Sequence, residues 1–370
     1  MSGTTESTPK ITAEHSFWKD ALNRAIEALL PLLAVPLALI LGAGMLLALK
    51  VDPLQAYGAL VDGVVGSVFG LTQTLVIATP LLLVALGIVI AFRGGVLNIG
   101  AEGQIVAGAL LTTAFALSFP NLPAWIMLPA GVITGAIGGA IWGGIPGFLK
   151  ARLGVNEILS TIMMNSIAVQ LNLYLLTGPM LDPAEIAAGT SIAQSALLPR
   201  TAWLPRLVPQ TLLSAGVILA LVLAVLVYIF MWRTTLGYRI RAVGLNLDAS
   251  RYAGMNVRVY QLLALTLGGA FAGIAGAVQV MGVQHRMMEG LSGGYGFSGI
   301  VVALFGSLNP LGAIPASLLF GGLLVGANQM QRTVQVPSAI INVILGLIVI
   351  FVVSSNIFAR MRARKRETHV

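Results

Sequence analysis

The strongest constraint on this chain is the spacing of its charges. Charged residues make up 9% of the 370 residues and hydrophobic residues 57%. A soluble domain would carry about 25% charged residues. Here the charges fall into short clusters separated by apolar runs of roughly twenty residues, which is the length of one membrane-spanning helix. The pattern predicts an all-α polytopic membrane protein, and the helical period of the runs argues against outer-membrane β-strands.

About ten membrane-spanning helices can be placed along the chain. The first apolar run follows a long polar segment and is about as long as a span, so we expect a retained helix rather than a cleaved signal. The eighth run is short, which predicts one short or broken helix pair near 295–330, interrupted after Leu308. The segments are 28–49, 68–92, 100–119, 123–149, 157–177, 211–232, 260–282, 295–308, 312–330 and 338–358.

The distribution of basic residues predicts which loops face the cytoplasm. With the N-terminus inside and ten spans threaded, 16 of the 21 Lys and Arg residues lie on the cytoplasmic side, as the positive-inside rule requires. This predicts cytoplasmic termini and a multi-pass protein of the bacterial inner membrane. The domains are then a cytoplasmic segment 1–27, a transmembrane domain 28–358 and a basic cytoplasmic tail 359–370. The same sidedness explains the net charge of +8 without a nucleic-acid partner.

The residue types within the spans argue against enzymatic chemistry. The chain has no Cys, and its three His are scattered through polar segments, so we expect no metal site and no catalytic residue. Amides occupy the spans where an ion-coupled transporter would place charges. They suit the passage of a polar, uncharged solute, although amides also join helices to one another. A stand-alone secondary transporter of a neutral solute remains an alternative.

A cytoplasmic loop at 233–258 is a candidate docking site for a partner that hydrolyses ATP. The chain contains no G-x-x-x-x-G-K-[ST] phosphate loop, so the energy for uphill transport would come from another protein. Leu236, Ile240, Val243 and Leu247 form one apolar stripe, which predicts one or two short helices along the membrane surface. The alternative is an amphipathic connector held at anionic lipid head groups.

Two further segments stand out. The predicted outer loop 178–210 is long, and Asp182-Pro183 is a plausible helix start within it. The loop could receive a solute-binding protein, act as a lid, or have no role.

The other segment is Gly-rich and runs from Arg93 to Gln104, where glycine permits close backbone approach. Glu102 lies near a helix start within it, a position that the helix dipole favours whatever its role.

Several of these stretches together resemble a known family. The run GGVLNIGAEGQ at 94–104 is similar to the signature of ABC-importer permeases for nucleosides and simple sugars, relatives of the branched-chain amino acid and ribose permeases. Three other stretches agree in the same order, and the resemblance covers roughly residues 70 to 358. They are GVNEI with STIMMN at 154–165, the loop 237–254, and GFSGI through GSLNPLG at 296–312.

The resemblance implies a transport subunit that works by alternating access and is not itself an enzyme. The favoured solute is a nucleoside, followed by a simple sugar, and a branched-chain amino acid is the alternative. The partners implied are cytoplasmic ATPase subunits that bind ATP and Mg, a second and different permease chain, and an outer solute-binding protein or lipoprotein. We expect no cofactor in this chain itself.

The resemblance also places the ATPase-coupling segment within 237–254. Its candidate residues are Gly237, Arg239, Arg241, Ala242, Gly244, Asn246, Ala249, Arg251 and Gly254. The solute pathway is a hypothesis based on the embedded and Gly-rich polar residues, namely Asn98, Glu102, Gln104, Asn165 and Asn172.

Overall fold

The structure is a computed structural model, and it describes residues 37, 40–190, 192–336, 343, 346 and 347. The chain divides into two compact units, one formed by residues 58–330 and the other by residues 1–57 with 331–370. Throughout the described part the regular elements are helices, accompanied by two isolated β-bridges. The expected all-α fold is therefore confirmed.

Seven helices are long and apolar enough to cross a membrane. Five shorter helices also have both ends within the described part, and residues 40–48 are helical as well. In chain order they are α1 (Pro53–Val65), α2 (Val68–Arg93), α3 (Ala101–Ser118), α4 (Ala124–Phe148), α5 (Glu157–Thr177), α6 (Pro183–Ala188), α7 (Gly216–Arg233), α8 (Thr235–Leu245), α9 (Leu247–Tyr252), α10 (Val257–Gln279), α11 (Tyr295–Phe305) and α12 (Ala313–Val334). The candidate spans are α2, α3, α4, α5, α7, α10 and α12, and π-helical turns extend α4 to Leu153 and α10 to Gln284.

Eight of the ten predicted segments correspond to helices. The predicted short segment is α11, which has 11 residues and ends just before the expected interruption. The predicted tenth span lies almost wholly outside the described residues. About half of the first lies outside them, and its residues 40–48 are helical. The total of ten and the sidedness of the termini therefore stay predictions. The helix α1 was not predicted, because 13 residues with an internal Asp62 are too few to span a bilayer.

The contact between α4 and α10 brings two backbones together. A Cβ built on Gly139 would lie 2.1 Å from the carbonyl oxygen of Gly269, and one built on Gly273 would lie 2.1 Å from that of Gly135. Small residues at such a crossing permit dense packing where the surroundings offer no hydrophobic driving force. Since α10 also packs against α2 and α3, this crossing fixes the helix around which the larger unit is built.

The predicted outer loop is folded onto the end of α10. Ser195 N donates to Met287 O at 2.8 Å, and Leu198 N donates to His285 O at 2.8 Å. The expected helix start is confirmed, because Asp182 caps α6 by accepting a hydrogen bond from Ala184 N at 3.0 Å. The loop is thus a structured segment tied to the same end of the bundle as residues 285–288.

A buried histidine packs against the predicted outer loop. The His285 ring stacks on Trp203 with 3.9 Å between ring centroids and 8° between planes, and neither ring nitrogen has a hydrogen-bond partner. Burial, together with the nearby charge of Arg206, lowers the pKa of His285 below its ordinary value. The ring therefore packs as a neutral aromatic at pH 7.

Gly139→Ala should destabilise the protein, because the added methyl would have to push apart two backbones in contact. Overpacking of this kind costs about 1–3 kcal/mol, so we expect a lower midpoint of thermal unfolding for the purified full chain in detergent. Gly144→Ala is the matched control on the same helix, since its methyl would come no closer than 3.4 Å to Thr266 Oγ1. Equal midpoints for the two variants would contradict the close crossing.

Candidate functional site

A non-helical break separates α2 from α3, and two buried amides hold it. Residues 94–100 contain no helical turn beyond the end of α2. Asn98 Nδ2 donates to Gln104 Oε1 at 2.9 Å, and Gln104 Nε2 donates to Asn98 Oδ1 at 3.1 Å. Asn98 Oδ1 also accepts from Gly100 N at 3.1 Å. The two side chains are almost fully buried and bind each other as well as the backbone of the break.

A third amide reaches the same break from α5. Asn165 Oδ1 accepts from Gly103 N at 2.8 Å, and its Nδ2 donates to Ile99 O at 2.9 Å. The first turn of any helix leaves N–H groups without a partner in the helix. Asn165 therefore satisfies one such group of α3 together with one carbonyl of the break.

A second break precedes α11, and Glu102 connects the two. The Glu102 carboxylate accepts from Gly294 N at 2.9 Å and from Gly296 N at 2.7 Å. The approach is tight, since a Cβ on Gly296 would lie 2.3 Å from Glu102 N. Glu102 thus lies in the first turn of α3 and binds the first turn of α11, and a carboxylate is favoured at both helix starts. We call the cluster of Asn98, Glu102, Gln104, Asn165 and these backbone groups the polar junction.

The polar junction reaches the middle of the bundle at Asn98, whereas Glu102 is half-buried. A Cβ on Gly268 would lie 3.3 Å from Asn98 Nδ2, and Gly268 is about halfway along α10. Interrupted helices at such depth are tolerated only where protein groups satisfy the freed backbone. Helix breaks of this kind are also where secondary transporters build their solute sites.

Four of the five predicted solute-pathway residues therefore meet in one cluster. The observed hydrogen bonds give Asn98, Glu102, Gln104 and Asn165 a structural role, and contact with solute stays a prediction for them. Asn172 is apart from these hydrogen bonds. It is buried on α5, and its Oδ1 has no hydrogen-bond partner.

Sequence reasoning did not identify Gln279 and Tyr295, which lie beside the second break. Tyr295 stands between Gly294 and Gly296, the two donors to Glu102, and the Gln279 side chain lies near the Tyr295 hydroxyl. The Gln279 Oε1 atom is buried without a partner. A signal was present, since Gln279 is the only amide in the apolar run 272–283.

The predicted coupling loop forms two short helices, as expected. The Thr234 side chain caps α8 by accepting from Gly237 N at 3.1 Å. Asn246 caps α9 by accepting from Asp248 N and Ala249 N, both at 3.0 Å. Gly254 follows with a φ of 75°, a conformation that glycine adopts without strain. We call 234–254 the coupling segment.

The coupling segment is seated directly on the start of the first break. Ile240 and Val243 are fully buried, and a Cβ on Gly244 would lie 2.0 Å from Arg93 O. Leu236 and Leu247, the outer members of the predicted apolar stripe, are exposed. Only the middle of the stripe is therefore a packing face.

The arginines of the coupling segment are engaged mainly within the chain. Arg239 Nη1 donates to Tyr260 Oη at 2.9 Å. The Arg241 guanidinium lies 5.3 Å from the centre of the Trp232 ring, and the guanidinium of Arg93 lies 5.5 Å from it. Arg93 Nε also donates to Leu308 O at 3.0 Å. This hydrogen bond joins the contact site of the coupling segment to the loop after α11.

The side chains that the coupling segment presents outward are aromatic and aliphatic as well as polar. Tyr252 is 95% exposed and Leu245 is 84% exposed, and neither was predicted as a coupling residue. Five of the predicted residues are also exposed, namely Arg239, Asn246, Ala249, Arg251 and Gly254, and Ala242 is half-buried. Among the described residues, no three His, Asp or Glu side chains are grouped so as to hold a metal ion.

Comparison with known proteins finds relatives that are similar to this chain over most of its length. The guanosine ABC transporter permease protein NupP of Bacillus subtilis is 37% identical over 90% of this chain and 95% of its own length. The glucose ABC transporter permease protein TsgB13 of Haloferax volcanii is 37% identical over 90% of this chain and 88% of its own. The nucleoside ABC transporter permease protein NupB of Lactococcus lactis is 36% identical over 89% and 92%.

No solved structure matches the chain. The family model described as the permease component of branched-chain amino acid transport systems matches residues 70–353, which include the polar junction and the coupling segment. The chain therefore belongs to this family of ABC transporter permeases.

Proposed function

We propose that this permease imports a nucleoside across the bacterial inner membrane by alternating access, with a simple sugar as the second candidate solute. Two of the three relatives named above are nucleoside or guanosine permeases and one is a glucose permease, all at 36–37% identity. A neutral, polar solute also agrees with spans that carry amides and few charges. Ion coupling would require ionisable residues within the spans.

The observation that supports ATP-driven transport most directly is the contact of the coupling segment, at Gly244, with the backbone of Arg93. A helix whose backbone touches the carbonyl of Arg93 cannot move without moving the start of the first break. That break leads within a few residues to Asn98 and then to Glu102, which holds the start of α11. A push on the coupling segment would thereby reach the middle of the bundle through contacts between packed groups.

We propose three kinds of partner, which membership of the ABC permease family supports. Cytoplasmic ATPase subunits, which bind ATP and Mg, grip the exposed side of the coupling segment. A second, different permease chain completes the pore, and an outer binding protein or lipoprotein docks on the structured segment 178–210. This chain forms part of the solute pathway and transmits the motion of the ATPase subunits to it.

Two buried acceptors are candidates to meet the solute. Asn172 Oδ1 and Gln279 Oε1 have no partner in this conformation, and leaving a buried acceptor unsatisfied costs about 1–3 kcal/mol. The hydroxyl and amino groups of a nucleoside would supply donors. The atoms of the polar junction, in contrast, already bind one another.

The solute can be identified by reconstituting the complete transporter in liposomes and measuring ATP hydrolysis with binding protein loaded with guanosine, glucose or leucine. We expect guanosine to give the largest stimulation, with no dependence on an ion gradient. Stimulation by glucose alone would show that the solute is a sugar. Stimulation by leucine alone would contradict both a nucleoside and a sugar as the solute. Uptake by the single chain driven by an ion gradient would contradict the ATP-driven mechanism.

Tyr252→Ala together with Leu245→Ala should weaken binding of the ATPase subunits by roughly tenfold or more, because truncating a well-packed aromatic anchor has effects of that size. Co-purification of ATPase with the permease measures this. Tyr174→Ala is the control, since Tyr174 is also exposed but lies on α5 outside the coupling segment. Unchanged recovery of ATPase in the double variant would refute this docking surface.

A further inference from the structure

A cleft of about 620 Å³ opens beside the coupling segment, at the ends of the spans. One wall is the π-helical turn that ends α4, which supplies Ala151 and Arg152. The other wall runs from α9 into the first turns of α10 and supplies Arg251 and Arg258. Three guanidinium groups thus line one cavity, and no acidic side chain is among its lining residues.

The charges of this cleft are poorly compensated within the protein. Across the described ranges, the ion pairs involve Lys150 with Glu157, Arg251 with Asp248, and Arg286 with Asp182. Arg152 and Arg258 are in none of them. The Arg251 pair is 3.3 Å long and exposed, so it contributes little. The cleft therefore favours an anion, which would also relieve repulsion among the three arginines.

The same cleft has an apolar side. Val259 and Leu262 line it along α10, and Leu153 beside it is exposed. The candidate spans formed by α4 and α10 both have an end at this cleft, so we expect phospholipid head groups to meet hydrocarbon near this level. A guanidinium pairs well with phosphate because its planar fork donates two parallel hydrogen bonds.

We propose that this cleft binds the phosphate of an anionic phospholipid, with Arg152 and Arg258 on the phosphate and an acyl chain along Val259 and Leu262. A free phosphate would satisfy the arginines but leave the apolar wall uncovered. An acidic side chain of a partner protein would bring one charge and no such chain. The bound lipid would link the first turn of α10, which directly follows the coupling segment, to the end of α4, so it would set the position of the coupling segment at the membrane surface. The inference does not depend on which solute is carried.

The test is the affinity of the purified complete transporter in detergent for phosphatidylglycerol, measured by native mass spectrometry. The double variant Arg152→Gln/Arg258→Gln should bind it roughly 30-fold more weakly, the size expected when two arginines near a membrane surface are removed. Arg233→Gln is the matched control, because Arg233 is exposed at the end of α7 and outside the cleft. Arg152→Lys/Arg258→Lys retains the charge and should retain most of the binding.

Two further arms distinguish the sources of the anion. Phosphatidylcholine and inorganic phosphate should both bind far more weakly than phosphatidylglycerol. Equal affinity of the wild type and the double Gln variant for phosphatidylglycerol would overturn the proposal. Saturation of the site by inorganic phosphate at equal concentration would overturn the lipid assignment. So would loss of the ATPase subunits from the double variant with unchanged lipid affinity, since the cleft would then be a protein interface.

Discussion

The satisfaction of backbone hydrogen bonds inside an apolar bundle is the constraint on which this structure depends. A helix that breaks within lipid exposes N–H and C=O groups that water cannot reach. Here two breaks lie side by side, and Asn98, Asn165 and Glu102 supply the missing partners. The charge of Glu102 is tolerated at this depth because two backbone donors and two helix starts surround it.

This arrangement joins the interior of the bundle to its surface. The break begins at Arg93, where Gly244 of the coupling segment touches the backbone, and it ends at Glu102, which holds α11. Arg93 also binds the carbonyl of Leu308 beyond the other end of α11. Both ends of α11 are thus bound to the segment 93–102. The coupling segment packs against the first residue of that segment.

Much of the fold was predictable because it follows from local pattern. Apolar run length located the spans, and Asp182-Pro183 located the start of α6. The sequence also grouped the residues of 93–104, but it could not show that Glu102 binds Gly294 and Gly296. That contact joins residues almost 200 positions apart, and no local period encodes it. For the same reason the sequence could not show that Arg239 and Arg241 contact Tyr260 and Trp232 on other helices. The role of these two arginines in docking stays a prediction.

In the mechanism proposed above, Glu102 transmits the motion of the coupling segment to α11. Glu102→Gln preserves the shape of the side chain but replaces one acceptor oxygen with a donor, so that one of the two hydrogen bonds to the start of α11 is lost. The decisive measurement is solute uptake per ATP hydrolysed by the reconstituted transporter, with exposed Glu289→Gln as the control. We expect Glu102→Gln to retain hydrolysis and lose most uptake, while Glu289→Gln matches the wild type. An unchanged ratio of uptake to hydrolysis in Glu102→Gln would contradict it.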